Sequence, residues 1–301
     1  MRARGPTHTA LLAFARRLRA YLPPGTLGDT LYSTLRYIVG QRRIPRYRNP
    51  RLFNDCLFRL RNDGTLLSPL RQFVTDKEYV KAYIGGTVGW QYAVPTLAIA
   101  RSDEEIDKLS LSSFPCVIKP AHMSGQVILV RDENEEFDRA VLKRWLRTDY
   151  YLVSRESNYR YLEPKILVED FFDDSGRPVP RDFKVHCFGG VPRLIQVDSG
   201  RFASHTRNWY DVSWKRLDLE WAYPQGHVAD ARPKCLDVML ELARSLSHSL
   251  SYIRVDMYTD DSTVKVGELT SCPDGAKRRM RPRSVELWIG ELLAGELDRG
   301  V

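Results

Sequence analysis

Ile253-Arg254-Val255-Asp256-Met257-Tyr258, followed after Asp260-Asp261 by Val264-Lys265-Val266-Gly267-Glu268-Leu269-Thr270, reads as a β-hairpin. Side chains alternate along a strand, so Arg254, Asp256 and Tyr258 share one face of the first arm. Glu268 and Thr270 share a face of the second. With Tyr258 opposite Val264, the expected register sets Arg254 against Glu268, with Asp256 diagonal to it. A slip of one residue would part the two sets.

In that register two carboxylates and a guanidinium converge on one patch. Hard oxygen donors beside a cation suit Mg²⁺ bridging nucleotide phosphates, with the arginine neutralising developing charge. The competing reading is a cross-strand salt bridge on a solvated face.

Three further stretches carry chemistry. In Cys116-Val117-Ile118-Lys119-Pro120 an apolar strand ends in a lysine. Ala121-His122-Met123-Ser124-Gly125-Gln126 then forms a small loop into the next strand. Lys119 can reach a phosphate there, and the Ser124 and Gly125 amides can cradle one. It is not a Walker A loop, for the chain has no G-x-x-x-x-G-K-[ST]. Ile166-Leu167-Val168-Glu169-Asp170-Phe171-Phe172-Asp173-Asp174 leaves an apolar strand into acids and aromatics, able to edge a purine and hold hydroxyls. In Arg181-Asp182-Phe183-Lys184, Asp182 and Lys184 share a strand face.

Around these pieces the texture is α+β with antiparallel sheets. Helices are expected at 9–22, 29–39, 53–60, 79–84 after a Thr75/Asp76 cap, 133–146, 236–246 and 285–293. A capping box at 102–105 opens a short helix. Strands are expected at 94–98, 114–119, 126–131 and 165–169, with a hairpin of 182–188 and 191–198 around Gly189-Gly190. Residues 199–232 read as irregular, rich in aromatics and arginine.

Charge is uneven. Of a net +8, residues 1–50 hold ten Arg, no Lys and one acid, Asp29, so the other 251 residues sum to −1. A near-neutral body with a basic extension argues against general nucleic-acid binding, which needs a basic stripe on the folded domain. Residues 9–22 form a basic amphipathic pattern that could lie on an anionic membrane. The alternative is a helix packed on the body with its arginines in water. No apolar run is long enough to span a bilayer. The six apolar residues 10–15, followed by Arg16 and Arg17, make a poor secretory core. Five scattered cysteines, none in a CxxC pair, exclude a zinc ribbon and a disulfide framework and fit a reducing cytosol.

Taken in order, the four stretches resemble the ATP-grasp superfamily, and within it the TupA-like branch named for teichuronopeptide synthesis. The resemblance covers about residues 47–275. It includes Asn49-Pro50, Phe53-Asn54, Cys187-Phe188, Ile195-Gln196-Val197-Asp198, Arg201-Phe202, Tyr210-Asp211 and Trp214 besides the stretches already quoted. It implies an ATP-grasp fold: two α+β subdomains clasping ATP, here 49–167 and 168–301, after a basic helical extension of 1–48. It implies ATP and Mg²⁺ as cofactors. The nucleotide set is Lys119, His122, Ser124, Gly125, Gln126, Val168, Glu169, Phe171, Phe172, Asp174 and Asp182. Asp256, Glu268 and Thr270 would hold metal, and Arg254 and Lys184 would serve the reacting group. His122 either contacts phosphate or caps its loop. Thr270 stands where most ATP-grasp enzymes have Asn, and the Gly-rich stretch that follows in the family is replaced here by a basic one.

Such enzymes join a carboxylate to an amine through an acylphosphate. The branch's namesake points to a cell-surface polymer: a uronic acid or peptide carboxylate, coupled to an amino acid or amine. An anionic acceptor would find Lys277, Arg278 and Arg279 in the basic 277–283 cluster. Arg201, His205, Arg207, Tyr210, Asp211 and Trp214 form a second, polar-aromatic set able to bind a sugar. A kinase phosphorylating a sugar hydroxyl and a non-catalytic membrane-bound scaffold are the other readings. The expected location is the cytoplasm, at the inner face of the membrane if residues 9–22 bind lipid.

Overall fold

The computed structural model describes residues 13–15, 17–174, 180–200 and 205–298. Two antiparallel sheets face each other across a cleft. The larger has five strands in the order β10-β9-β5-β6-β7. These are β5 (Asp182–Phe188), β6 (Val191–Ser199), β7 (Thr206–Asp211), β9 (Tyr252–Thr259) and β10 (Val264–Thr270); β8 (Glu220–Trp221) pairs outside this sheet, with Met280–Arg281. Its back face is apolar: Phe183, Val185, Cys187, Ile195, Val197, Ile253, Val255, Met257 and Leu269 pack on Leu236, Met239, Ala243 and Leu246 of α8 (Leu236–Ser247). Alternation therefore turns Asp182, Lys184, His186, Gln196, Asp198, Arg254 and Asp256 to the front.

The smaller sheet has the order β1-β4-β2-β3. It comprises β1 (Thr96–Ala100), β2 (Cys116–Pro120), β3 (Ile128–Val130) and β4 (Ile166–Asp170). Ala100, Cys116, Ile118, Val130, Ile166 and Val168 bury one face against Ile106 of α5 (Asp103–Asp107) and Leu142 of α6 (Arg139–Leu146). Lys119 and Glu169 lie on the other face, toward the cleft. The expected boundary at 167/168 falls inside β4, whose partners β1 and β2 both belong to the small sheet.

A third core lies beyond one end of the cleft. Phe53, Leu57 and Leu60 of α2 (Phe53–Asn62) meet Ile289 and Leu293 of α9 (Arg283–Asp298), with Phe188, Trp209, Trp221 and Tyr252. Before it, α1 (Thr26–Gln41) starts after the Pro23-Pro24-Gly25 stop. Its Asp29 pairs with Arg155 at 3.1 Å and accepts from the Tyr151 hydroxyl at 2.7 Å. Arg155 also donates to the Arg19 and Leu22 carbonyls, so the chain before α1 is tied to the body. Residues 9–12 and 16 of the expected first helix lie outside the described residues, as does Arg201.

Two expectations about secondary structure need correction. Thr206–Asp211 is a strand, not irregular: it pairs with β6 along its whole length, and its polar Arg207 is buried only because Asp198 neutralises it. The 133–146 helix begins only at Arg139, because the Asp138 carboxylate caps it through the Ala140 amide at 2.8 Å. The five cysteines are unpaired. Among the described residues no helix is long and apolar enough to cross a membrane.

Candidate nucleotide and metal site

The floor of the cleft is a row across three strands. Glu268 of β10 stands opposite Asp256 of β9, and Asp256 opposite Lys184 of β5. The expected register is corrected here. Thr270, not Glu268, faces Arg254: Tyr258 pairs with Lys265 rather than Val264, and a bulge between Val266 and Glu268, which skips Gly267, adds a second residue of shift. Without the bulge, alternation would send Glu268 to the same apolar side as Val264 and Val266. With it, Leu269 keeps its place in the core while Glu268 and Thr270 face the cleft.

Cations crowd this acid pair. Arg254 forks onto Asp256, Nε to Oδ1 and Nη2 to Oδ2, both at 2.6 Å, and its Nη2 donates to Thr270 Oγ1 at 3.1 Å. Lys184 Nζ lies 3.1 Å from Asp256 Oδ2 and also pairs with Asp182. The Thr270 hydroxyl is thus held by Arg254 beside the acids.

The roof supplies more lysines. Lys119 and Lys81 grip the two oxygens of buried Glu169 at 2.5 and 2.8 Å. Lys81 comes from α4 (Tyr79–Thr87). Lys77, in the turn before α4, is buried and donates from Nζ to the Met123 carbonyl at 2.5 Å. It thereby ties the 121–127 loop to the cleft. Burial alone would push the Glu268 carboxyl up. Lys77, Arg254, Lys119 and Lys184 outweigh it and hold Glu268 below the usual carboxylate range. Glu169 behaves likewise, burial being outweighed by Lys119 and Lys81. Burial pushes Lys77 down, with Glu268 opposing.

In the loop, Ser124, Gly125 and Gln126 are exposed, and Gly125 has a φ of +84°, which a side chain disfavours. Ser124 lies beside Tyr150 and Tyr159, and burial raises both phenols, Tyr150 to about 12. His122 is buried: Nε2 meets the Trp145 carbonyl at 3.2 Å, and Nδ1 accepts from the Lys165 amide at 3.3 Å. Both ring nitrogens therefore serve backbone, and burial lowers the imidazole's pKa. That is the place of a loop buttress.

Along 168–172, Val168 is buried in the small core, the Phe171 amide donates to the Pro115 carbonyl, and Phe172 stacks on Tyr258 at 6.0 Å. Asp174 is held by Arg181 at 2.9 Å, just before β5.

The proposed acceptor sets do not assemble as expected. Once β7 is a strand, alternation parts them. Arg207 faces the cleft side with Asp198, and His205 lies 3.4 Å from the same carboxylate and stacks on Tyr223. Tyr210 is on the back, stacked with Trp214, which also meets Phe183. Asp211 closes the turn by accepting from the Ser213 and Lys215 amides. The basic cluster is also dispersed. Arg279 donates to the last carbonyl of α1, Gln41. Arg278 leans on Asp274 at 3.8 Å, and burial lowers the Lys277 pKa beside Glu156 and Arg61.

The donor set fits Mg²⁺. Asp256 and Glu268 offer hard oxygens on adjacent strands, and Mg²⁺ is commonly held by one or two carboxylates with phosphate oxygens completing the shell. A self-sufficient metal cage of three or more acidic, His or Cys groups is absent among the described residues. Sequence reading missed Lys77, Lys81 and the pairing role of Asp198. Lys77 directly follows the Asp76 cap and Lys81 lies one helical turn on, so the expected cap at Thr75/Asp76 was the available signal.

Comparison with solved structures gives low-identity likenesses. A D-alanine–D-alanine ligase from Bacillus anthracis complexed with ATP is 16% identical, with 77% of this chain and 70% of that one covered, at a TM-score of 0.41. The ATP-grasp ligase PsnB with minimal precursor is 13% identical, covering 81% and 68%, at 0.42. No curated protein matches the chain. The model of the TupA-like ATP-grasp family matches residues 57–294. About four-fifths of the chain, with both sheets and the cleft between them, is spanned by that match, and the protein belongs to the TupA-like ATP-grasp family.

Proposed function

We propose that the protein is an ATP-dependent ligase joining a carboxylate to an amine, acting on a cell-surface polysaccharide or its precursor. One observation carries the reading: two facing carboxylates, Asp256 and Glu268, lie under Lys77, Lys119, Lys184 and Arg254 in one cleft. That charge pattern suits a triphosphate with its counter-ion. Asp256 and Glu268 would hold Mg²⁺, which neutralises phosphate charge when bound.

The acceptor carboxylate oxygen attacks the γ-phosphorus, the bond from that phosphorus to the bridging oxygen breaks, and ADP leaves. The amine nitrogen then attacks the acyl carbon, phosphate departs, and the nitrogen gives up a proton. Lys184 and Arg254, both paired with Asp256, would stabilise charge on the transferring group. No covalent nucleophile is required. Burial pushes the Cys56, Cys187 and Cys272 thiols up to about 12, far from thiolate character.

A uronic acid or peptide carboxylate is the acceptor class that the family's namesake favours. The test is turnover of ATP with uronic acids and amino acids, with hydroxylamine present to trap an acylphosphate. ADP, free phosphate and a hydroxamate support the ligase. Phosphate retained on the acceptor would make it a kinase, and no ADP with any acceptor would remove the enzymatic reading.

A further inference from the structure

The helix α1 wears its aliphatic residues on the outside. Leu27, Leu31 and Ile38 are 72%, 52% and 38% exposed. At about 100° per residue they fall within roughly 40° of arc, a single stripe. The buried side of the same helix is Tyr32, Tyr37 and Val39 with polar Asp29, Ser33 and Gln41. A helix that merely packs on a globule keeps its exposed side polar.

The next segment continues the pattern. Arg42, Ile44, Arg46, Tyr47 and Arg48 are all exposed, Ile44 at 75%. The only acid before residue 55 is Asp29, which is buried against Arg155 and Tyr151. The segment therefore presents aliphatic side chains and arginines with no exposed carboxylate of its own, and the Asp55 that takes Arg43 is buried. α1 is also rigidly mounted. Gln41 donates to the Ala276 and Arg278 carbonyls, and Arg279 returns two bonds to Gln41.

We propose that this face, α1 with the 42–48 strap, docks on an anionic lipid bilayer. Charge complementarity favours an anionic partner, and the exposed Leu-Leu-Ile stripe favours one with an apolar interior. A soluble polyanion would reward the arginines alone, and a second copy of the chain would bring the same positive charge against itself. The surface differs from the 9–22 pattern read from sequence, and it does not depend on what reaction the cleft performs.

The experiment is flotation of the full chain with vesicles of phosphatidylcholine alone or with 30 mol% phosphatidylglycerol. The variants are Leu27→Ser/Leu31→Ser/Ile38→Ser and Arg42→Gln/Arg46→Gln/Arg48→Gln. All six side chains are at least one-third exposed, and an unchanged melting temperature verifies folding; Ile44→Ser/Tyr47→Ser, in the strap rather than the helix, serves if the stripe variant fails that check. Binding is expected only to the anionic vesicles. Each arginine lost should weaken it about five-fold, so the triple variant falls on the order of 100-fold. The stripe variant should also lose binding. Three results would overturn the proposal: no flotation of the wild type, flotation unchanged in the apolar variant with full competition by heparin (a polyanion surface), or a dimer in solution that the stripe variant dissociates (a second copy).

Discussion

Lys165 offers the sharpest test of the structure. Its ammonium is fully buried, 2.9 Å from Asp76 and 2.6 Å from Glu78, and 3.8 Å from the Tyr79 ring centroid. Asp76 in turn accepts from the Glu78 and Tyr79 amides at the start of α4. Lys165→Met keeps the stem and removes the charge, leaving buried Asp76 without its ion-pair partner. Breaking such a pair costs about 3–5 kcal/mol. At about 2.1 cal/mol/K per residue, the unfolding entropy of a chain this size is roughly 0.6 kcal/mol/K, so the melting temperature should drop by about 5–8 °C. The pH dependence has a definite sign. Lys165 is a principal cause of the lowered Glu78 pKa, acting against burial. A carboxyl lowered on folding contributes stability above its unfolded pKa and loses it as pH falls through the folded one. The gap between wild type and variant should be full at pH 7 and narrow below about pH 4.3, the unperturbed Glu value. Calorimetry at pH 7 and about pH 3 measures both. A drop under 2 °C, or a gap that widens in acid, would refute the burial and pairing just described.

Other consequences follow for the cleft. Asp256→Asn and Glu268→Gln should each abolish ATP turnover while retaining circular dichroism. They should also remove the Mg²⁺-dependent thermal stabilisation by ATP, about 2.7 kcal/mol at 100-fold the Kd; a full shift in either variant would count against the metal assignment. Lys77→Met should weaken ATP binding at least ten-fold in calorimetric titration, since its ammonium lies in the field of Glu268 and anchors the 121–127 loop. An unchanged Kd would leave Lys77 a purely structural group. Gly267→Ala brings a Cβ within 2.8 Å of the Tyr258 ring, which stacks on Phe172. Overpacking there should cost about 1–3 kcal/mol and displace Phe172, read as a lower melting temperature with a raised KM for ATP.

Much of the large sheet was legible because one face is apolar and the other charged, so alternation marks its strands. Phe183, Val185 and Cys187 interleave with Asp182, Lys184 and His186, and the same holds for 253–258. β7 was not legible for the opposite reason. Thr206-Arg207-Asn208-Trp209-Tyr210-Asp211 has polar residues on both faces, buried only through distant partners: Asp198 for Arg207, Asp230 for Asn208 and Tyr210. No local pattern encodes a partner twenty residues away. The sugar-binding set read from that stretch divides for this reason, since residues three apart in a strand point to opposite faces.

The site itself turned on one residue that carries no chemistry. Read with strict alternation, Val264, Val266, Glu268 and Thr270 belong to one face, and either the valines or the acid would be misplaced. Gly267 resolves the conflict by dropping out of the ladder. Val264 and Val266 stay in the core, Leu269 rejoins them, and Glu268 arrives opposite Asp256 instead of Val255, where the pairing of Val266 with Met257 would otherwise put it. Arg254 is then left to fork onto Asp256 and hold Thr270. Side-chain types alone identify the members of this constellation, but who faces whom is set by a bulge, and a bulge is a property of two strands together. The glycine is its one trace in the sequence, since only a residue without a Cβ fits against Tyr258 there.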